Sequence, residues 1–245
     1  MRGGGIVMNL SVYNSIPTHL FAYWLSDSTI KNFVRGNSLS TYADARNGFT
    51  TGNNDLFLRI WSEIKTDSIC FNATDLIYAL YTGKKWFPYN KGGEYHKWYG
   101  NQIYVINWLS DGREIKKYGH LVPRSLNYMF FESISWSKIS SGNVSFRFYP
   151  KGFMFDVAGL GLFVKDAYND LCNYLMGFLN SNVSQHYLRA MSPTLNYETG
   201  QISNLPIVLN KNKKIDDIVE ENISIGTDEW DDFETSWNFR KHPLV

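Results

Sequence analysis

Residues 84–108 read KKWFPYNKGGEYHKWYGNQIYVINW. Lysines at 84, 85, 91 and 97 are set among the rings of Trp86, Phe87, Tyr89, Tyr95, Trp98 and Tyr99. Cations placed between flat rings suit a ligand that is both anionic and flat, which describes a nucleic acid. Lysines displace counterions from phosphates, and rings stack on bases or lie along sugars. A plainer reading stands beside it: a hairpin turning at Asn90, Lys91, Gly92 and Gly93, with its rings in the core and its lysines in solvent. Spacing alone leaves both open.

Two further stretches carry binding chemistry. Residues 45–55, ARNGFTTGNND, combine two glycines with free amides and hydroxyls at Thr51, Asn53 and Asn54. Such a loop can hold a phosphate on its backbone N–H groups, or it can be an ordinary connection. Residues 134–139 and 144–149 alternate at period two about the turn Ser140, Ser141, Gly142 and Asn143, which reads as a β-hairpin. One face carries Ile134, Trp136 and Lys138 against Val144, Phe146 and Phe148. A two-stranded ribbon fits the major groove of DNA, where Lys138, Asn143 and Arg147 have the donors to read base edges. Ser140 and Ser141 are short enough to let the turn approach.

Catalytic signatures fall away one by one. The five histidines are scattered and show no zinc spacing. Asp156, Gly159 and Gly161 imitate a D-x-x-x-G-x-G cofactor turn, and Asn204, Leu205, Pro206 and Ile207 imitate an N-P-P-Y tetrapeptide. The second lacks the ring that would stack on a flipped base. Too few residues follow Asp156 for a doubly wound catalytic domain. Glu63, Ile64 and Lys65 have the form of a nuclease metal motif without a companion carboxylate, and read as a solvated strand end. No catalytic, cofactor-binding or metal-binding residue is therefore assigned.

Several stretches resemble one family. The segment K-W-F-P-Y-N-K-G-G, the loop G-F-T-T-G-N-N and the run S-W-S-K-I-S-S-G with R-F-Y-P-K-G-F-M-F-D-V-A-G resemble the target-recognition region of PglX-like adenine-specific DNA methyltransferases of bacterial phage-defence (BREX) systems. So does W-D-D-F-E-T-S-W near the end, while the family more often has Asp where this loop has Asn53. A looser likeness extends to type II enzymes that fuse methylation to restriction, and G-F-L-N-S with G-Q-I-S-N-L-P-I is similar to the close of type I specificity domains. The resemblance covers about residues 16–244. It implies DNA target recognition, with S-adenosylmethionine bound in a catalytic domain outside this chain and no cofactor here. The partners implied are double-stranded DNA and that catalytic domain, in the same or a neighbouring chain. The alternative is a protein-interaction module docking through the aromatic-basic hairpin. The DNA-contacting residues expected are Thr51, Asn53, Asn54, Lys84, Lys85, Trp86, Lys91, Tyr95, Lys97, Trp98, Lys138, Ser140, Asn143, Arg147 and Lys151.

The elements that must position these residues follow from composition and period. A hydrophobic content of 44% over 245 residues supports a buried core. The net charge of +1 hides an asymmetry. Residues 84–151 hold eleven Lys/Arg against four carboxylates, a net of +7, whereas residues 212–245 hold four against nine, a net of −5. Ser26 or Asp27 caps a helix over 28–35 with Ile30, Phe33 and Val34 on one face. Asp111 caps a short helix starting at Gly112. Asp166 caps another, with Leu171, Tyr174, Leu175 and Phe178 at helical spacing, and a second piece runs through Tyr187 and Leu188. Cys70 and Cys172 read as free thiols of a reducing cytoplasm, and no apolar run is long enough to span a membrane. The fold expected is α+β: a twisted mixed sheet presenting hairpins, backed by a few helices. Its parts are an unstructured or truncated lead-in at 1–15, a recognition domain at 16–210, and an acidic linker at 211–245 leading to a missing helical region.

Overall fold

A computed structural model describes residues 25–122, 124–192, 194–210 and 212–244. The extended aromatic stretch expected at 16–24 lies outside the described residues, as does the lead-in before it. The class is α+β, as expected. Among the described residues the strands form two four-stranded sheets and a two-stranded one, in place of one continuous sheet.

Helix α1 (Asp27–Arg35) begins where Ser26 accepts the N–H of Thr29, so Ser26 is the cap. Ile30 is buried and Phe33 partly so, but Val34 is 68% exposed and leaves the expected face. Strand β1 (Asn37–Ser38) leads to β2 (Ala43–Arg46), a short α2 (Asn54–Phe57), β3 (Leu58–Ile60) and α3 (Leu76–Tyr81). The aromatic-basic stretch supplies β4 (Trp86–Asn90) and β5 (Tyr104–Asn107), which pair antiparallel with Trp86 opposite Asn107. It is a hairpin, but residues 91–103 join the strands, so the Gly-Gly pair does not close a tight turn.

Helix α4 (Leu109–Tyr118) starts irregularly. Ser110, Asp111 and Gly112 are all left-handed, and Asp111 pairs with Lys116 at 2.5 Å in place of capping the helix. Strands β6 (Ser133–Ser137), β7 (Phe146–Tyr149), β8 (Met154–Phe155) and β9 (Gly159–Val164) follow. The β6–β7 register sets Ile134 opposite Phe148 and Trp136 opposite Phe146, as the alternation predicts. The next helix starts later than expected: 166–171 are 3-10, and α5 (Cys172–Asn180) carries the apolar row. Helix α6 (Asn182–Met191) is capped by Ser181, and α7 (Thr199–Ser203) precedes β10 (Pro206–Ile207).

The first sheet, ordered β2-β9-β6-β7, is wholly antiparallel. The second, β3-β5-β4-β8, is mixed, because β8 joins β4 in parallel. Each sheet has its own core. Ile134, Trp136, Leu160 and Leu162 pack against Leu171, Leu175, Leu179 and Leu188 of the helical layer. Phe87, Tyr89, Ile106, Trp108, Phe130 and Phe155 form the other core. Strand β9 belongs to both, since Leu160 and Leu162 face the first core and Phe163 the second. Each fully buried side chain of this size contributes about 1.5–3 kcal/mol relative to exposure.

The acidic segment read as a linker is instead helix α8 (Lys213–Asp231), capped by Asn212. Val219 is buried on the α5 side, where an added Cβ on Gly177 would come within 2.9 Å of it. Ile215 and Ile223 pack beside it. Beyond α8, Trp237 stacks on Phe153 with centroids 5.7 Å apart, and Trp61 Nε1 donates to the carbonyl of Thr235 at 2.8 Å.

Candidate nucleic-acid interface

The turn leaving β4 sits between two grooves. One, of about 640 Å³, places Asn54, Asp55 and Arg59 beside Lys91 and Tyr104. The other, of about 470 Å³, places Gly93, Glu94 and Tyr95 opposite Ser137, Ser140 and Ser141. Tyr104 lines both. The three stretches singled out by their chemistry, around residues 51–55, 91–95 and 137–145, therefore meet in one region although they are far apart in sequence.

Local chemistry fixes the turn. Asn90 is buried, donates to Ser135 Oγ at 2.6 Å, and accepts the N–H of Gly92 at 3.0 Å. Gly92 has φ +75°, and a Cβ there would lie 2.8 Å from the carbonyl of Ala158. Lys91 forms a 2.7 Å ion pair with Asp156, whose side chain is 2% exposed. The same carboxylate accepts the Tyr89 hydroxyl at 2.8 Å and the Ala158 N–H at 2.8 Å. Burial, and then the Asp156 charge, push the Tyr89 phenol well above its ordinary pKa, so it stays a donor.

The predicted contact residues divide by what holds them. Thr51 is buried and donates to Asn54 Oδ1 at 2.7 Å. Asn53 caps α2 by accepting the Leu56 N–H at 3.1 Å, so its oxygen is engaged. Asn54 is exposed. Lys84 and Lys85 lie at the far end of β4; Lys84 donates to the Asp67 carbonyl, and Lys85 lies 5.4 Å over the Trp86 ring. Trp86 itself is buried with Ile69 and Val105. Lys97 donates to the Asn180 carbonyl at 2.9 Å, and Trp98 packs on the first core. Tyr95 is 54% exposed at the groove rim. Lys138 pairs with Glu198 at 2.8 Å, and Asn143 accepts from Arg189 at 2.7 Å. Ser140 donates to the Asn143 carbonyl at 2.9 Å. Lys151 is exposed beside Glu132 and Cys172, in a separate cleft.

Arg147 requires a correction as an exposed base reader: it is 0% exposed. Its Nη1 donates to the Glu94 carbonyl at 3.0 Å and its Nη2 to Ser137 Oγ at 2.8 Å, while Nε has no acceptor. Burial pulls the guanidinium below its ordinary pKa. The physical reason is that β7 is covered on both faces. Phe146 faces the helical core, the Trp98 backbone pairs along the free edge of β7, and on the opposite face Arg147 and Tyr149 donate to the Glu94 and Asn101 carbonyls. The rings read as a docking surface, Trp86, Phe87, Tyr89 and Tyr99, are likewise interior.

The motif imitations are structural. A Cβ on Gly159 would lie 2.4 Å from Asn90 Oδ1, and one on Gly161 would lie 2.8 Å from the Phe163 ring. These glycines are met by the protein's own atoms, so close packing requires them. In the N-L-P-I stretch, Pro206 and Ile207 pair with Ser38 and Asn37 of β1. Glu63 accepts the Ile60 N–H at 3.2 Å. Among the described residues no cluster of three or more metal-ligating side chains occurs, and no helix is long and apolar enough to cross a membrane. Sequence reasoning missed Asp156 as the partner of Lys91, Asn90 as the residue holding the turn, and Tyr104 as the residue shared by both grooves.

No family model matches the chain. It is 40% identical over 241 residues to an adenine-specific methyltransferase PglX of Lacticaseibacillus casei (strain Zhang), covering 95% of this chain and 20% of that protein. It is 35% identical over 235 residues to an adenine-specific methyltransferase BrxX of Escherichia coli O9:H4 (strain HS), covering 95% of this chain and 18% of that protein. The chain thus spans about a fifth of the length of the curated relatives it matches.

Proposed function

We propose that this chain is the DNA-gripping and target-reading part of an adenine-specific DNA methyltransferase of the phage-defence (BREX) type. The observation that carries this reading is the meeting of residues 51–55, 91–95 and 137–145 around two adjoining grooves. It is supported by likeness over 95% of the chain to two adenine-specific methyltransferases. Methyl transfer belongs to a domain outside these residues, where S-adenosylmethionine would bind. Within this chain, generic grip falls to the exposed cations Lys85 and Lys117 with the half-buried Lys84 and Arg59 beside them, and base reading to the groove rims. Arg59 lines both the first groove and a neighbouring cleft with Lys85 and Lys117, so the cations extend from the grooves along β4.

The test is the salt dependence of duplex binding by the purified chain. Phosphate contacts make log K fall linearly with log salt, and the double variant Lys84→Glu/Lys85→Glu should lower that slope by up to about two. Absent or salt-indifferent binding would overturn the reading. A second reading draws on a different surface. On α3, Ile77 is 69% and Tyr81 84% exposed, with Leu80 at 48%. That apolar face suits docking on protein, and such an interface would be far less sensitive to salt.

A further inference from the structure

Arg147 is wholly buried, yet among the described residues no carboxylate lies within ion-pair distance of it. Its two side-chain bonds go to a backbone carbonyl and a hydroxyl, and its Nε is unsatisfied. A buried cation in this state is strongly unfavourable unless an opposite charge comes near it. Both of its acceptors, Glu94 and Ser137, are wall residues of the second groove. The guanidinium therefore sits one residue behind the groove surface.

The groove surface in front of it is small and polar. Ser137 Oγ accepts from both Arg147 and the Gly93 N–H and donates to the Gly93 carbonyl, so it is engaged in holding the wall. The hydroxyl of exposed Ser141 stands at the turn between β6 and β7. Tyr95 at 54% and Ile139 at 67% exposure stand at the rim. Glu94 is exposed at the same rim, which disfavours a multiply charged anion. A phosphodiester carries a single charge with an apolar sugar on each side, and matches a buried cation, a hydroxyl and a ring together.

We propose that this groove seats one phosphodiester of a DNA strand, with Ser141 as direct donor, Arg147 as the fixed counter-charge behind the wall, and Tyr95 against the adjoining sugar or base. The inference rests on the DNA-recognition reading and adds the seat to it. The test measures binding of a short fluorescein-labelled duplex by the purified chain and its variants, alongside thermal melting. Ser141→Glu should weaken binding by about tenfold or more at low salt, and Ser141→Lys should tighten it. Arg147→Met should melt no lower than the parent while binding about tenfold weaker. If Arg147→Met fails to fold, the two Ser141 variants decide, because that side chain is exposed. If the parent binds duplex and both Ser141 variants bind like it, the seat is overturned and the DNA reading survives. If the folded parent binds no duplex even at low salt, both fall.

Discussion

Residues 91 and 94 lie three apart on one turn, and the charge behind each is handled in an opposite way. Behind Lys91 is a completed cluster. The Asp156 carboxylate takes the ammonium, a tyrosine hydroxyl and a backbone N–H, all within 2.8 Å. Behind Glu94 is an open one, a guanidinium with a carbonyl, a hydroxyl and, among the described residues, no carboxylate. The completed cluster ties β4 to the turn before β9 and commits the Lys91 charge to a carboxylate. The open one ties β7 to Glu94 and Ser137 by neutral acceptors and leaves a positive charge behind a groove wall. Burial of charge thus marks opposite roles in the two regions, and the identity of the partner decides which.

Three substitutions sharpen or break this contrast. The largest effect is expected from Asp156→Ala, which removes the counter-charge of Lys91 and the acceptor of the Ala158 N–H, leaves Tyr89 only the Phe49 carbonyl, and should cost about 3–5 kcal/mol in urea denaturation. A loss below about 1 kcal/mol would mean that the cluster is not structural and would remove the contrast. Next is Lys91→Met. It leaves the carboxylate with its hydroxyl and N–H donors, so a loss of about 1–3 kcal/mol is expected, with the Lys91 side chain being 27% exposed and its charge partly screened. Duplex affinity should drop little once the variant is folded; a drop matching that of Ser141→Glu would place Lys91 among the gripping residues. The smallest effect belongs to Asn53→Ala. Losing the α2 cap should cost about 1 kcal/mol in the same denaturation and leave DNA binding unchanged. Weakened binding without a stability loss would return Asn53 to the contact surface.

Period-two alternation made the β6–β7 pairing legible, because Ile134, Trp136, Phe146 and Phe148 all prefer one side. The same alternation misplaced Arg147. It assumes that the face opposite the apolar one is wet, and here that face is covered by residues 94–102, whose approach depends on tertiary packing and not on any local pattern. Aromatic interleaving in β4 was legible as a strand pair, but the glycines were mistaken for the closing turn. Gly92 is needed for close approach to Ala158, a contact between segments 66 residues apart that local reading does not contain. Helix α8 was hidden by charge. Ile215, Val219, Ile223 and Trp230 recur at helical spacing, and counting carboxylates drew attention to the other face. Of the candidate site, the three stretches were legible by residue type. Which of their side chains face outward was not, since capping, ion pairing and carbonyl bonds each claim a donor that the sequence presents as free.

The bond from Trp61 to the Thr235 carbonyl spans 174 positions, and the Trp237 ring reaches Phe71 as well as Phe153. These contacts set an order of assembly. Closing so long a loop is entropically costly and slow, so the two sheets can gather around their own cores well before residues 232–239 arrive. During synthesis, the aromatic pocket formed by Trp61, Phe71 and Phe153 stands uncovered until Trp237 is made. Until that indole is in place, the three rings present apolar surface of the kind that promotes association.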